Sequence, residues 1–427
     1  MQVFKFGGSV LKDTVGIRRM TEVLRRAGRP LVVVVSAFGK TTNALEEIAS
    51  LTAGEKKQDK VKAVRRIGEV KKYHLQILRE LLTGDPSLAE AEEKLEALFS
   101  ELMKLTEAPS RISPEEWYNR IVPYGERFSS MAVYYALARE FPGLVHTDIR
   151  KIIIAGSPDG TAGVDWKETT RRVLRTFSPA GNLFLTQGFI AGTRDGRTTT
   201  LGREGSDFTA AILGSILNAD KVVLWKDVPG VMNADPKICP EAVRLPGISY
   251  QEAAEMAFYG AKVIHPKTIK PLQNKHIPLV VRGLAGTDNS GTTIWDFEEM
   301  EKHVPVYIRK ERQILLSVFP RDYSFILNRH LEDLFGAFKK WKFNISLVQI
   351  SAISVSFCID DPGMSFMERV KELQNRYEVY FNRETELLTF RHYTEKTIRE
   401  KLKNCHTLVS QRTRLTAQYV VKRIAGE

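Results

Sequence analysis

The chain has 427 residues, 43% of them hydrophobic and 27% charged, with a formal net charge of +12. That length exceeds one ordinary domain, so two or three units are expected, and no apolar run approaches the ~18 residues that a membrane helix needs. The basic residues are interleaved with acids and no nucleic-acid motif accompanies them, so the charge reads as a solvated surface that also favours polyphosphates, with neither nucleic acid nor membrane as a partner.

The chain opens directly on a strand pattern, Gln2 to Phe6, with no basic leader and no apolar export core. Its three cysteines, Cys239, Cys358 and Cys405, are far apart and lie in no CxxC or zinc-ligand spacing. A reducing, cytoplasmic setting without disulfides or a zinc site is expected. Lys5-Phe6-Gly7-Gly8-Ser9 ends the first strand. A lysine there can meet phosphate as a point charge, and paired glycines let backbone N–H groups approach an anion. A plain tight turn explains the glycines as well, and no Walker A pattern is present. Asp13-Thr14 then starts a helix with Ile17, Met20 and Leu24 on one face. Pro30 to Val35 reads as a buried parallel strand, short and β-branched.

Residues 55–140 break the strand–helix rhythm. Lys56 to Leu82 and Ser87 to Leu105 are helical, as if inserted at the edge of a sheet. Tyr124-Gly125-Glu126-Arg127 opens a further helix; Glu126 could hold an amino group, or be a solvated first-turn glutamate. Strand patterns resume at Lys151 to Ile154 and Asn182 to Leu185. Thr198-Thr199-Thr200-Leu201-Gly202-Arg203-Glu204-Gly205-Ser206-Asp207 follows. Arg203 offers a planar fork that matches a carboxylate. Ser206 or Asp207 could cap the next helix, whose apolar face is Phe208, Ile212 and Ile216. Lys221 to Trp225 is another buried strand, and Lys226-Asp227-Val228-Pro229-Gly230-Val231-Met232 with Asp235-Pro236-Lys237 forms the loop at its carboxyl end, where parallel sheets bind ligands. An ordinary connecting loop is equally consistent with that spacing. Ser249 and Glu252 form a capping box. In Ala261-Lys262-Val263-Ile264-His265-Pro266, Lys262 could reach phosphate, whereas His265 reads as structural. Ile277 to Val281 completes the strands of this part. Strand–helix alternation of this kind predicts an α/β, αβα sandwich with a mainly parallel central sheet.

A boundary falls near 295–306. Beyond it the order is strand (Gln313 to Phe319), helix (Asn328 to Trp341), strand (Ile345 to Ile350), strand (Ser354 to Ile359) and helix (Ser365 to Arg376). A second, shorter copy follows: strand Leu387 to Phe390, helix Glu395 to Asn404, strand Leu415 to Val421. This is an α+β, ferredoxin-like plan.

The ordered set of motifs resembles the aspartate kinases of the amino acid kinase family. It comprises Lys5 to Gly8, Val35-Ser36-Ala37 with Thr42-Asn43, Gly125-Glu126-Arg127, Gln187-Gly188-Phe189 with Gly196 to Asp207, Asp227 to Gly230 with Asp235-Pro236, and Ala254-Glu255-Met256 with Gly260 to Pro266. The resemblance covers residues 1–300, taken as the catalytic domain. It implies transfer of the ATP γ-phosphoryl group to the side-chain carboxylate of L-aspartate, giving 4-phospho-L-aspartate on the way to lysine, threonine and methionine. By position it implies that Lys5 and Asp207 are catalytic and that Ser36, Thr42, Glu126, Arg203 and Ser206 hold aspartate. Lys5, Gly7, Gly8, Ser9, Lys226, Asp227, Met232, Lys237 and Lys262 would bind ATP, with Mg2+ carried by the phosphates. Residues 306–427 resemble paired ACT regulatory domains, the second truncated, which implies a homodimer and an end-product amino acid effector. Five departures from the family pattern stand out. A threonine between Gly8 and Ser9 is absent, Glu204 replaces the second glycine of GRGGSD, Met232 and Lys237 replace a tyrosine and an arginine, and Val348 replaces an acid. A divergent small-acid kinase and a weakly active amino-acid or ATP sensor are the alternative readings.

Overall fold

The strand pattern at the N-terminus forms β1 (Gln2–Phe6), whose residues Val3 to Phe6 are buried because β2 (Leu31–Val35) flanks it on one side and β7 (Lys221–Lys226) on the other. The computed structural model describes residues 1–54, 56–107, 112–156, 163–177, 182–261, 264–284, 291–297, 304–322 and 324–424. Two units divide the chain. The first is Met1–Val231, Arg244–Ala254 and Val263–Met300; the second is Met232–Val243, Glu255–Lys262 and Glu301–Glu427.

In the first unit, α1 (Thr14–Arg26) starts at Asp13, whose carboxylate accepts from Gly16 N at 2.8 Å, and it buries Ile17, Met20 and Leu24. After β2 come α2 (Thr41–Thr52), α3 (Lys57–Leu81), α4 (Leu88–Glu107), α5 (Pro114–Ile121) and α6 (Tyr124–Ala138). Of these, α3, α4 and α6 answer to the helices read over 55–140, and α5 was not anticipated. Next are β3 (Val145–Thr147), α7 (Trp166–Thr176), β4 (Leu183–Gln187), the hairpin β5 (Ile190–Gly192) and β6 (Thr198–Thr200), α8 (Gly205–Ile216) and β7. The unit closes with β8 (Gly247–Ser249), the first half of α9 (Tyr250–Phe258), α10 (Pro266–Gln273), β9 (Leu279–Gly283) and β10 (Thr292–Trp295).

The eight strands of the main sheet run in the order β3-β4-β2-β1-β7-β9-β10-β8. Every neighbouring pair is parallel except β9 with β10. All five residues of β2 are 0% exposed, which explains its unbroken Leu-Val-Val-Val-Val run: a strand covered on both faces has no polar side. Each such side chain contributes ~1.5–3 kcal/mol of burial.

One predicted strand is absent. Lys151 to Ile154 is a 3-10 turn (Ile149–Lys151) followed by buried residues that make isolated bridges only. A short apolar run signals burial, and burial alone does not distinguish a strand from a packed turn. The edge strand lies earlier, at β3, where Val145, His146 and Thr147 pair with β4.

In the second unit, β11 (Val306–Pro320), α11 (Asn328–Trp341), β12 (Ile345–Ile350), β13 (Val355–Asp360), α12 (Phe366–Gln374), β14 (Tyr377–Arg391), α13 (Glu395–Leu402), β15 (Cys405–Arg412) and β16 (Thr416–Arg423) build an antiparallel sheet ordered β12-β13-β11-β14-β16-β15. β11 and β14 each serve two halves. Gln313–Pro320 pairs with Tyr377–Thr385, and Val306–Lys310 pairs with Leu387–Arg391, with a register break between. The first half is a complete βαββαβ unit on a core of Leu334, Phe338, Phe357, Phe366 and Val370. The second has one helix, α13, so the copy is shorter, as expected. The stretch Tyr377 to Arg383 and the strand β15 went unread because few of their residues are buried: Tyr377 and Val379 in the first and none in the second.

Candidate active site

Parallel strands whose registers match end level with one another. Phe6 pairs with Val35 and Trp225, and Val35 pairs with Gln187, so β1, β2, β4 and β7 release their following loops at one edge of the sheet. The chain steps outward from β1 to β2 in one direction and reaches β7 on its other side, which makes this edge the switch point where such sheets bind ligands.

Lys5 lies one residue before the end of β1 and is 7% exposed. Its Nζ stands 2.6 Å from Asp207 Oδ1. Lys226, the last residue of β7, places its Nζ 2.8 Å from the other carboxylate oxygen, Oδ2. Asp207 is 2% exposed, in the first turn of α8. Burial alone would raise its pKa, but the charges of Lys5 and Lys226 outweigh burial and hold it at about 2. Lys226 shows the converse: burial would lower it, and Asp207 raises it instead, with smaller help from Glu204 and Asp227. The result is one carboxylate between two ammonium groups, delivered by two adjacent parallel strands and a helix start.

Neither Ser206 nor Asp207 caps α8. The capping position belongs to Glu204, whose side chain makes no capping bond, and both residues lie inside the first turn. Ser206 is 7% exposed. A Cβ at Gly188 would come within 2.5 Å of Ser206 Cβ, so glycine there lets the end of β4 approach α8. Gly8 has a similar reason: its Cβ would meet the Ala37 carbonyl at 2.2 Å, and only glycine allows the loops after β1 and β2 to touch. Gly7 N donates to Trp225 O at 3.0 Å, which joins the β1 loop to β7. Ser9 is exposed beside it.

Ser36 is 9% exposed, and its N–H donates to Phe6 O at 3.2 Å. Glu126 faces the same loop from α6. The solvated reading of this glutamate is overturned: it is 3% exposed, Oε1 accepts from Ala37 N at 3.3 Å, and Oε2 is buried without a hydrogen bond. Burial raises its pKa to about 8, against the partial opposition of the Ala37 N–H. Folded protein therefore keeps a proton between pH 4.5 and about 8 that the unfolded chain releases. Stability tied to this group is full below 4.5 and is lost as pH rises through about 8. Glu126→Gln removes that slope. Thermal melts across this window should show wild type losing Tm relative to the variant as pH rises; parallel curves would mean that Glu126 is solvated.

Thr42 is half-buried in the first turn of α2, but the neighbouring Thr41 is 3% exposed with a buried hydroxyl lacking a partner. Thr41 was missed in the sequence. Thr41, Ala44, Leu45 and Ile48 recur at helical spacing, and that period turns Thr41 inward. Arg203 and Asp227 are exposed beside the buried cluster's own elements. Met232 and Lys237 belong to the 232–243 segment of the second unit, so they are not part of the first unit's cluster. Lys262 lies outside the described residues. His265 is structural at the start of α10, where its Nδ1 accepts from Lys267 N at 3.2 Å.

Residues 1–283 match the model of the amino acid kinase family. Lysine-sensitive aspartokinase 3 of Escherichia coli is 30% identical over 364 residues, covering 84% of this chain and 78% of that protein. The chloroplastic bifunctional aspartokinase/homoserine dehydrogenase 1 of maize is 32% identical over 372 residues; the match takes in 84% of this chain but 40% of that longer protein. Among solved structures, E. coli aspartokinase III in complex with aspartate and ADP (R-state) superposes with a TM-score of 0.82 at 25% identity, covering 99% of this chain and 96% of that one. The same enzyme with lysine and aspartate (T-state) gives 0.79.

Proposed function

Because the chain belongs to the amino acid kinase family, we propose that it is an aspartate kinase, transferring the γ-phosphoryl group of ATP to the side-chain carboxylate of L-aspartate. The observation that carries this reading is the buried Lys5–Asp207–Lys226 set at the sheet's switch point, with Glu126 buried and one oxygen free beside it.

A carboxylate acceptor is already ionised at neutral pH, so the reaction needs no general base. One carboxylate oxygen of aspartate bonds to the γ-phosphorus, the bond to the β,γ-bridging oxygen breaks, and ADP leaves with that electron pair. What remains for the protein is positioning and charge neutralisation. Lys5 and Lys226 would meet phosphoryl oxygens from opposite sides. Asp207 is a positioning residue, fixing both ammonium groups where the transferred group passes. Gly7, Gly8 and Ser9 would line the phosphates, and Asp227 would serve the rest of the nucleotide. Glu126 would take the ammonium of aspartate, losing its own proton as it does so, and Arg203 would take the α-carboxylate. Ser36, Thr42 and Ser206 would hold the remaining oxygens, and Thr41 joins them. Magnesium carried by the nucleotide would neutralise part of the triphosphate charge. Among the described residues no group of three or more His, Cys, Asp or Glu side chains could hold a metal by itself.

The second unit would bind an end-product amino acid and pair two copies of the chain. The relative solved with lysine motivates that reading. Unchanged activity in millimolar lysine, threonine and methionine would remove it.

The test of the reaction is ATP consumption with magnesium and L-aspartate, trapping the acyl phosphate with hydroxylamine. Aspartate-dependent hydroxamate is expected. Product from glutamate or another small acid but not from aspartate would reassign the acceptor. Arg203→Ala is expected to raise the aspartate KM about 10- to 100-fold, as for loss of a charge-assisted hydrogen bond, while kcat changes little. Equal losses in kcat and kcat/KM would remove Arg203 from ground-state binding.

A further inference from the structure

Glu204 combines two costs that its own fold does not offset. Its backbone is left-handed, at φ 52 and ψ 31, a region glycine occupies freely and glutamate does not. Its side chain makes no cap to α8, and its Oε2 is buried with no hydrogen-bond partner. A carboxylate oxygen desolvated in this way is unfavourable unless something binds it.

Two of the nearby cations, Lys226 and Lys267, are already engaged. Glu204 acts through charge on Lys226 and on His265. Lys226 is held by Asp207 at 2.8 Å. Lys267 donates to Leu201 O at 3.0 Å, and its backbone N–H occupies His265 Nδ1. The charges at this point also balance: buried Lys5 and half-buried Lys226 against buried Asp207 and half-buried Glu204. An extra carboxylate at this point repels phosphates and the carboxylates of an acceptor, so neither is its ligand. A substrate ammonium already has Glu126, whose Oε1 accepts from Ala37 N in the loop after β2 and whose Oε2 is buried without a hydrogen bond. A hard divalent cation on the phosphates remains, and such cations take carboxylate oxygens.

We propose that Glu204 is a ligand, direct or through one water, for the divalent cation that accompanies the nucleotide in this chain. The proposal rests on the kinase reading above. It makes nucleotide binding conditional on the cation: without metal Glu204 opposes the phosphates, and with metal it helps to hold them.

The experiment compares wild type, Glu204→Gly and Glu204→Gln by calorimetric titration with ADP, once in magnesium and once in EDTA. Manganese bound by each protein in the presence of ADP is counted by electron paramagnetic resonance. In magnesium both variants should bind ADP about tenfold more weakly, with a matching loss of bound manganese. In EDTA they should bind ADP as well as wild type or better. Glu204→Gly should melt no lower than wild type, because glycine removes the left-handed strain, so weaker binding cannot be ascribed to unfolding. ADP affinity that shifts equally with and without metal, or unchanged manganese binding, overturns the role of Glu204 alone. Wild type that binds no ADP in either condition overturns the kinase reading, and this proposal with it.

Discussion

Lys5→Ala is expected to lower kcat about 10²–10³-fold while the aspartate KM moves only a few-fold. The ammonium of Lys5 is buried on Asp207 and so is preorganised before any substrate arrives. A preorganised charge in a poorly solvated site acts on charge that shifts during transfer, and its loss appears in turnover. Lys226 still reaches Asp207 from the other side at 2.8 Å, so the carboxylate keeps a counter-ion in the variant. The measurement is steady-state kinetics with varied aspartate at saturating ATP. A large rise in KM with kcat preserved would place Lys5 in substrate binding and not on the transferring group.

Asp207→Asn should be the most destabilising single change in the cluster. The side chains of Lys5, Asp207 and Lys226 are 8%, 3% and 17% exposed. Removing the carboxylate leaves two ammonium groups in a buried site without their counter-charge, and breaking such a pair costs about 3–5 kcal/mol. The linkage runs as for any carboxylate with a depressed pKa. Folded Asp207 titrates at about 2 against 3.8 ordinarily, so its contribution is present above 3.8 and lost as pH falls through about 2. Chemical denaturation at neutral pH should show the deficit. Equal stability of variant and wild type at neutral pH would mean that water reaches both ammonium groups. Turnover should fall as well, since neither lysine would be held in place.

The placement of Glu126 separates what is local from what is not. Its position at the start of a helix was legible, since Tyr124-Gly125-Glu126 has the pattern of a first turn. Its burial was not legible. It follows from the close packing of α6 on α2, where a Cβ at Gly125 would stand 3.0 Å from Ala37 Cβ and 3.1 Å from Leu45 Cδ1. Those partners lie about eighty residues earlier in the chain. Glu204 makes the same distinction: the residue type was visible as a departure from a glycine pattern, but the left-handed backbone and the unpartnered oxygen were not.

Local chemistry determined the outline of this protein. Unbroken apolar runs specified the buried parallel strand Leu31–Val35 and the buried centre of Lys221–Lys226, because such a strand has no polar face to show. Helical periods specified α1, α3, α4 and α11, and the motif order specified the family. Only the tertiary structure decided which residues meet. Lys5 stands some two hundred positions before Asp207 and Lys226, and the three converge because parallel strands in matched register end together while α8 starts beside them. The apolar run at 151–154 became a turn for the same reason: burial is a demand on the side chains, and the strand pairing that satisfies the backbone went to β3 and β4.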